Sequence, residues 1–158
     1  MAGAEKPGLN DARVREFVAV ARVAHLATAG PDGTPHNIPL CFWFDGANFY
    51  FAIDEKPKRR TGLELKRMRN IISNPRVALI IDYYEEDWAS LAYVLIHGRA
   101  LVVEDHEEYL LALRFLRDKY PQYRTMALNP ENNPMVRIEP ERVHAWGARF
   151  KSTPSANS

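Results

Sequence analysis

The stretch VAHLATAGPDGTPHNIPLCFWF, residues 23–44, decides the fold because it places two strand patterns around one turn. Residues 23–29 are apolar and compatible with a short β-strand. Residues 30–34 contain two glycines, a proline and an aspartate, the composition of a tight turn, and residues 36–44 form a second extended run. A third run, residues 48–53, follows an Asp-Gly pair. Three runs joined by short links predict an antiparallel meander.

Two prolines flank and interrupt the second run. Pro35 and Pro39 have no amide proton to donate to a neighbouring strand. Proline within a sheet is confined to edge strands, strand starts and bulges. The second run is therefore predicted to lie at an edge or a bulge, with backbone groups left for a ligand.

The rest of the chain alternates helical and extended patterns. We predict helices over about three turns after the N-cap Asn10, over residues 62–72, and over residues 105–119, where Asp105 and Glu108 have capping-box spacing. Strands are predicted at residues 76–84, 91–103, 135–138 and 142–146, the last two on either side of Pro140. The run at 76–84 is almost continuously apolar, which is typical of burial on both faces.

These elements indicate a mainly β, α+β fold. Six or seven strands with peripheral helices and many short links favour an antiparallel barrel, closed or half-closed. We predict one domain at residues 10–150, with disordered ends at residues 1–9 and 151–158.

The composition excludes several classes of protein. Among 158 residues, 21 Lys and Arg oppose 20 Asp and Glu, so the formal charge is only +1 and no broad basic surface for nucleic acid is expected. The single Cys excludes a disulfide framework and favours the reducing cytoplasm. No apolar run approaches the length of a membrane span. From the charge and the apolar runs together, neither nucleic acid nor a membrane is a predicted partner.

Positive charge is nevertheless concentrated between residues 55 and 69. Seven basic residues oppose two acidic ones and give this segment a local charge of +5; the basic residues are Lys56, Lys58, Arg59, Arg60, Lys66, Arg67 and Arg69. Guanidinium groups bind phosphate oxygens in pairs, and the start of a helix adds partial positive charge. The segment therefore indicates a phosphate site, with a solvated helix face as the alternative and a nucleic-acid patch as a third.

No familiar catalytic constellation is found in the sequence. Cys41 lies inside a predicted strand and is interpreted as a structural thiol. The five histidines lack metal-ligand spacing, so no metal site is predicted, and no phosphate-loop or dinucleotide motif is present. The catalytic residues stay unassigned. An enzyme without an evident acid, base or nucleophile is often one whose cofactor carries the reactivity.

Several motifs, in this order, together resemble one known family. They are HLATAGPDGTPH at residues 25–36, FYF at 49–51, RNIISNPRV at 69–77, GRA at 98–100 and RVHAW at 142–146. This combination is similar to the pyridoxamine 5′-phosphate oxidase-like, FMN-binding split barrels. The triplet Lys56-Pro57-Lys58, with DYYEEDW at 82–88, resembles the branch that uses the deazaflavin coenzyme F420.

The resemblance implies a cofactor site. By position in the family's pattern, Lys66 and Arg67 would hold the cofactor phosphate. The ring would lie along His36, Asn37, Ile38 and Pro39, flanked by Ala52 and Ile53. Such proteins are homodimers with two cofactor sites across the subunit interface, so Tyr93 and Trp146 are expected to contact the partner's cofactor.

The chain departs from the true oxidase at two places. Residues 55–64 are extra, and their Lys56, Lys58, Arg59 and Arg60 would suit a longer anionic tail such as that of coenzyme F420. Phe42 stands where the oxidase has a basic side chain. The C-terminal substrate-binding residues of the oxidase have no match in this chain. The expected function is an oxidoreductase that uses F420 or FMN to transfer hydride to or from a small organic substrate. The alternatives are a non-catalytic carrier or sensor and a haem-binding split barrel.

Overall fold

The structure, a computed structural model, describes residues 6–54 and 65–152. Within these residues the helices are α1 (Ala12–Val20), α2 (Lys66–Ser73) and α3 (His106–Lys119). The strands are β1 (Ala24–Ala29), β2 (Pro35–Leu40), β3 (Trp43–Phe44), β4 (Phe49–Ala52), β5 (Arg76–Tyr83), β6 (Ala92–Val102) and β7 (Met135–Gly147). The predicted disordered ends lie mostly outside the described residues, at 1–5 and 153–158. Among the described helices none is long and apolar enough to cross a membrane.

All seven strands belong to one antiparallel sheet in the order β2-β1-β5-β6-β7-β4-β3. β2 and β3 lie at opposite ends of this order, yet only Cys41 and Phe42 separate them in the chain. Three Cα–Cα steps span at most about 11 Å. The sheet must therefore curl until its two ends meet, which confirms the predicted α+β split barrel.

The predicted meander is wrong in its pairing. The second run, 36–44, is two strands: β2 pairs with β1, whereas β3 pairs with β4, and β4 then pairs with β7. The break falls at Phe42, whose side chain is 1% exposed. At this break the chain passes from one end of the sheet to the other, and the Phe42 ring packs in the barrel core between them.

Three local expectations also need correction. The N-cap of α1 is Asp11 rather than Asn10, because the Asp11 carboxylate accepts the Arg13 amide at 2.9 Å. β5 is buried on one face only and alternates along its length. The two strands expected around Pro140 are the single strand β7, which continues past the proline through a register shift opposite His97 and Gly98. A bulge accommodates a residue without an amide proton.

The β2–β3 connection is held by the end of α3. The hydroxyl of Tyr120 accepts the Phe42 amide at 3.1 Å and donates to the Arg22 carbonyl at 2.9 Å. The amino group of Lys119 donates to the Phe42 carbonyl at 3.1 Å and lies 4.0 Å from the centroid of the Phe42 ring. Burial, and then the charge of Arg22, lower the pKa of Lys119 from 10.5 to about 8.

We expect the stability of the wild-type protein, relative to a Lys119→Met variant, to rise as the pH increases from about 8 toward 10. The native protein releases the Lys119 proton near pH 8. The unfolded chain keeps it to about pH 10, so the unfolded state binds more protons in this interval. Because Lys119 is only half-buried, screening by solvent limits the gain to about 1 kcal/mol. Urea unfolding of both proteins across this range measures the difference, and a flat difference would contradict the lowered pKa.

Candidate functional site

A cleft of about 460 Å³ opens where the two ends of the sheet meet. Its volume falls within the range of about 300–1,000 Å³ that is usual for small-molecule sites. The walls are mostly apolar, with charged groups from only two of the lining residues, Arg67 and Asp54. The full lining is Val23, Ile38, Pro39, Leu40, Cys41, Phe51, Ala52, Asp54, Arg67 and Tyr123.

Four of the residues predicted for the cofactor meet in this cleft. Ile38 and Pro39 come from β2, Ala52 ends β4, and Arg67 lies in the first turn of α2. β2 is an end strand of the sheet, so the edge facing the cleft has no partner strand among the described residues. The edge position expected from Pro35 and Pro39 is therefore confirmed.

The other predicted cofactor residues lie elsewhere. His36 and Asn37 continue β2 beyond the cleft lining, opposite Thr28 and Ala27. The side chain of Ile53 is fully buried in the barrel core, and its amide donates to the Pro134 carbonyl at 2.9 Å. Lys66 precedes Arg67 at the start of α2. Four more predicted residues lie outside the described part of the chain: Lys56, Lys58, Arg59 and Arg60.

Asn70 holds α2, and with it Arg67, against the first hairpin. Its side-chain amide donates to the Thr28 hydroxyl at 3.0 Å, and both residues are buried. A Cβ at Gly30 would lie 2.9 Å from the Asn70 side-chain oxygen, so a larger residue there would displace the Asn70 side chain. The N-cap of α2, Leu65, makes no side-chain hydrogen bond to the helix. Leu65 therefore does not cap the first amides of α2. These amides lie next to two basic residues, Lys66 and Arg67, and the start of a helix favours an anion.

Sequence reasoning missed two polar groups of the cleft, Tyr123 and Asp54. The hydroxyl of Tyr123 donates to Asp54 Oδ2 at 2.6 Å, and Cys41 lies close to both. Burial, and then the Asp54 carboxylate, raise the pKa of Tyr123, so its phenol stays protonated at neutral pH. Burial, and then Asp54, also raise the pKa of the Cys41 thiol. Tyr123 belongs to a short 3-10 turn, Pro121–Thr125, whose polar sequence carries no motif, and only the position of Asp54 just after β4 was a usable signal.

Tyr93 and Trp146 lie on the outer face of the sheet. They are register partners on β6 and β7, and their rings stack with centroids 5.5 Å apart. Their strand neighbours point into the core, so both rings point away from it, and Trp146 is 47% exposed. Neither ring lines the cleft of its own chain. In the described part of the chain no three His, Cys, Asp or Glu residues are grouped closely enough to hold a metal ion.

Known proteins match this chain in sequence and in fold. A curated relative, the 5a,11a-dehydrotetracycline/5a,11a-dehydrooxytetracycline reductase of Streptomyces rimosus, is 28% identical over 77% of this chain and 72% of its own. Protein Rv2991 of Mycobacterium tuberculosis superposes with a TM-score of 0.72 at 22% identity and covers 100% of this chain and 99% of its own. HutZ, the haem storage protein of Vibrio cholerae, superposes with a TM-score of 0.66 at 16% identity, covering 86% of this chain and 95% of its own. At these identities the two structures show the fold alone.

The family model described as pyridoxamine 5′-phosphate oxidase matches residues 11–147. This interval runs from the N-cap of α1 to the last residue of β7, so it contains the whole barrel and every described residue of the cleft. The chain belongs to the pyridoxamine 5′-phosphate oxidase family.

Proposed function

We propose that this protein is an oxidoreductase that binds FMN or coenzyme F420 in the cleft and transfers hydride to or from a small organic substrate. The observation that carries the proposal is Arg67, which reaches a mostly apolar cleft from the first turn of α2. A flavin-type cofactor matches this arrangement, because it joins an apolar ring system to an anionic phosphate. The proposed location is the cytoplasm, where a single Cys stays reduced.

The residues of the cleft fit such a group. Arg67 would bind the phosphate through charge-assisted hydrogen bonds, helped by the first amides of α2 and by Lys66, which precedes Arg67 outside the cleft lining. Ile38 and Ala52 provide apolar contact area that excludes water, and the free edge of β2 provides backbone groups for ring heteroatoms. The bound group would supply the hydride chemistry. Tyr123, oriented by Asp54, keeps a phenolic proton at the wall of the cleft.

Two further observations support the direction and the setting of the chemistry. The Streptomyces rimosus relative is a reductase, which favours hydride transfer toward the substrate.

The stacked Tyr93 and Trp146 form an aromatic surface on the outer face of the sheet. We propose that two copies associate through this face and that both rings approach the partner's cofactor. A sedimentation mass of twice the 18.1 kDa chain is the expected result, and a monomer at micromolar concentration would contradict it.

Cofactor titration tests the proposal directly. FMN and coenzyme F420 are added separately to the purified protein and binding is followed by fluorescence. We expect one of them to bind with a Kd of about 10 μM or tighter. The cofactor is then reduced, and its reoxidation by conjugated ketones is followed by absorbance. A protein that binds haem with a shifted Soret band and neither cofactor would overturn the proposal, and binding without any turnover would leave only a carrier.

A further inference from the structure

A second cavity meets the cleft at Asp54. It has a volume of about 650 Å³, and we call it the loop cavity because residues 125–133, between α3 and β7, form most of its wall. Its lining is Asp54, Thr125, Met126, Ala127, Leu128, Asn129, Asn132 and Asn133. Asp54 is the one described residue that lines both cavities. Asp54 therefore lies at the boundary of both cavities.

The loop cavity differs in charge from the cleft. Asp54 is the only ionisable group among its described lining residues, and the other seven are neutral. Among the described lining residues no basic side chain is present to bind a phosphate or a carboxylate, and the Asp54 carboxylate repels an anion. The cavity therefore favours a neutral or cationic molecule, whereas Arg67 favours an anion in the cleft.

The wall of the loop cavity is held in shape by its own amides. The buried Asn133 donates from its side chain to the Ile53 carbonyl at 2.9 Å, which ties the loop to the end of β4. The side-chain oxygen of Asn129 accepts the Asn132 amide at 2.9 Å. The side chain of Asn132 is exposed and makes no hydrogen bond to the described residues, so its donor and acceptor remain available to a ligand.

Asp54 is also fixed in orientation. Its Oδ2 accepts the Tyr123 hydroxyl at 2.6 Å, and Tyr123 is itself 4% exposed. The carboxylate can still accept further hydrogen bonds, because each carboxylate offers about four lone-pair sites. An oriented carboxylate between two cavities is suited to contact a ligand in one while facing the other.

We propose that the loop cavity is the binding site for the organic substrate, a neutral or cationic ring compound with hydroxyl and carbonyl groups, and that Asp54 and Asn132 are its polar contacts. The proposal rests on the proposed function, because it assigns the cleft to the cofactor. The two cavities then separate an anionic cofactor from an uncharged or cationic substrate and bring them together at Asp54.

The test measures the binding of tetracycline and of the cofactor to wild type and to three variants. Tetracycline serves as the probe, since it carries hydroxyl, carbonyl and amine groups on fused rings and is fluorescent. Ala127→Trp fills the loop cavity, and Gln122→Trp adds the same side chain to an exposed position that lines neither cavity. Tetracycline and the cofactor are titrated into wild type, the two Trp variants and Asp54→Asn, and circular dichroism verifies that each variant is folded.

We expect Ala127→Trp to weaken tetracycline binding about tenfold or more while the cofactor Kd stays within about twofold. Gln122→Trp should leave both affinities near wild type. Asp54→Asn, which keeps an acceptor for Tyr123, should weaken tetracycline binding about threefold to tenfold. No tetracycline binding to wild type at millimolar concentration, or equal affinity in the two Trp variants, would overturn the proposal. If wild type bound tetracycline but neither FMN nor coenzyme F420, the proposed function would be overturned instead, because the tetracycline titration is independent of the cofactor.

Discussion

Replacing Arg67 with Ala is expected to weaken binding of FMN or coenzyme F420 by about 10- to 100-fold. Arg67 lies in the first turn of α2, and its side chain lines the cleft. A hydrogen bond to a charged group contributes about 1.5–3 kcal/mol, and its loss corresponds to this range of affinity. Fluorescence titration of the variant with the cofactor gives the Kd.

Two controls make the Arg67 result specific to the phosphate. Arg69→Ala removes the same side chain from the exposed face of the same helix, outside the cleft lining, and should change the Kd by less than about twofold. Riboflavin, which lacks the phosphate, should bind wild type and Arg67→Ala equally. If FMN and riboflavin lose the same affinity, Arg67 shapes the cleft rather than binding phosphate.

Replacing Gly98 with Ala is expected to reduce the free energy of unfolding by about 3 kcal/mol. Gly98 lies at the register shift between β6 and β7. A Cβ built there would be 2.3 Å from the Glu139 carbonyl oxygen and 3.2 Å from Pro140 Cα. These are backbone atoms of β7 that pair with β6, and they directly follow Ile138, where the pairing of β7 with β4 ends, so they cannot move without disturbing the sheet. For a domain whose total stability is about 5–15 kcal/mol, this is a large fraction.

Urea unfolding of wild type and Gly98→Ala measures the loss. Gly8→Ala is the matched control, since its added Cβ would be 3.4 Å from one side-chain oxygen of Asn10 and no closer to anything else. That variant should stay within about 0.5 kcal/mol of wild type. Equal stability of the Gly98 and Gly8 variants would mean that the bulge relaxes freely and would contradict this prediction.

Much of the fold was predictable because its signals are local. The turn at residues 30–34 forms as its composition indicates: the Gly33 amide donates to the Gly30 carbonyl at 3.0 Å, and Gly33 has φ of 77°. Asp105 caps α3 by accepting the Glu108 amide at 2.8 Å, as the spacing predicted. In each case the interacting groups are at most three residues apart, so the pattern contains both partners.

The pairing of strands was not predictable in the same way. β4 pairs on one edge with β3, the end of the second run, and on the other edge with β7, about 85 residues away. The sequence of a strand does not identify the strand that pairs with it, because residues of similar size and hydrophobicity can pack against either candidate. The choice depends on where Phe42 buries its ring and on how Tyr120 of the α3 end holds that turn, which are contacts across 78 residues.

In the candidate site, too, local features were predictable from the sequence and long-range contacts were not. Sequence alone determined the fold class, the edge position of β2 and the basic start of α2, because proline chemistry and charge density can be read from single residues and short spacings. Only the tertiary structure decided that Arg67 shares a cleft with Ile38, Pro39 and Ala52, and that Tyr123 binds Asp54 beside Cys41. Closing the sheet brings these residues together. That closure depends on burial summed over the whole barrel, a quantity that no local pattern contains.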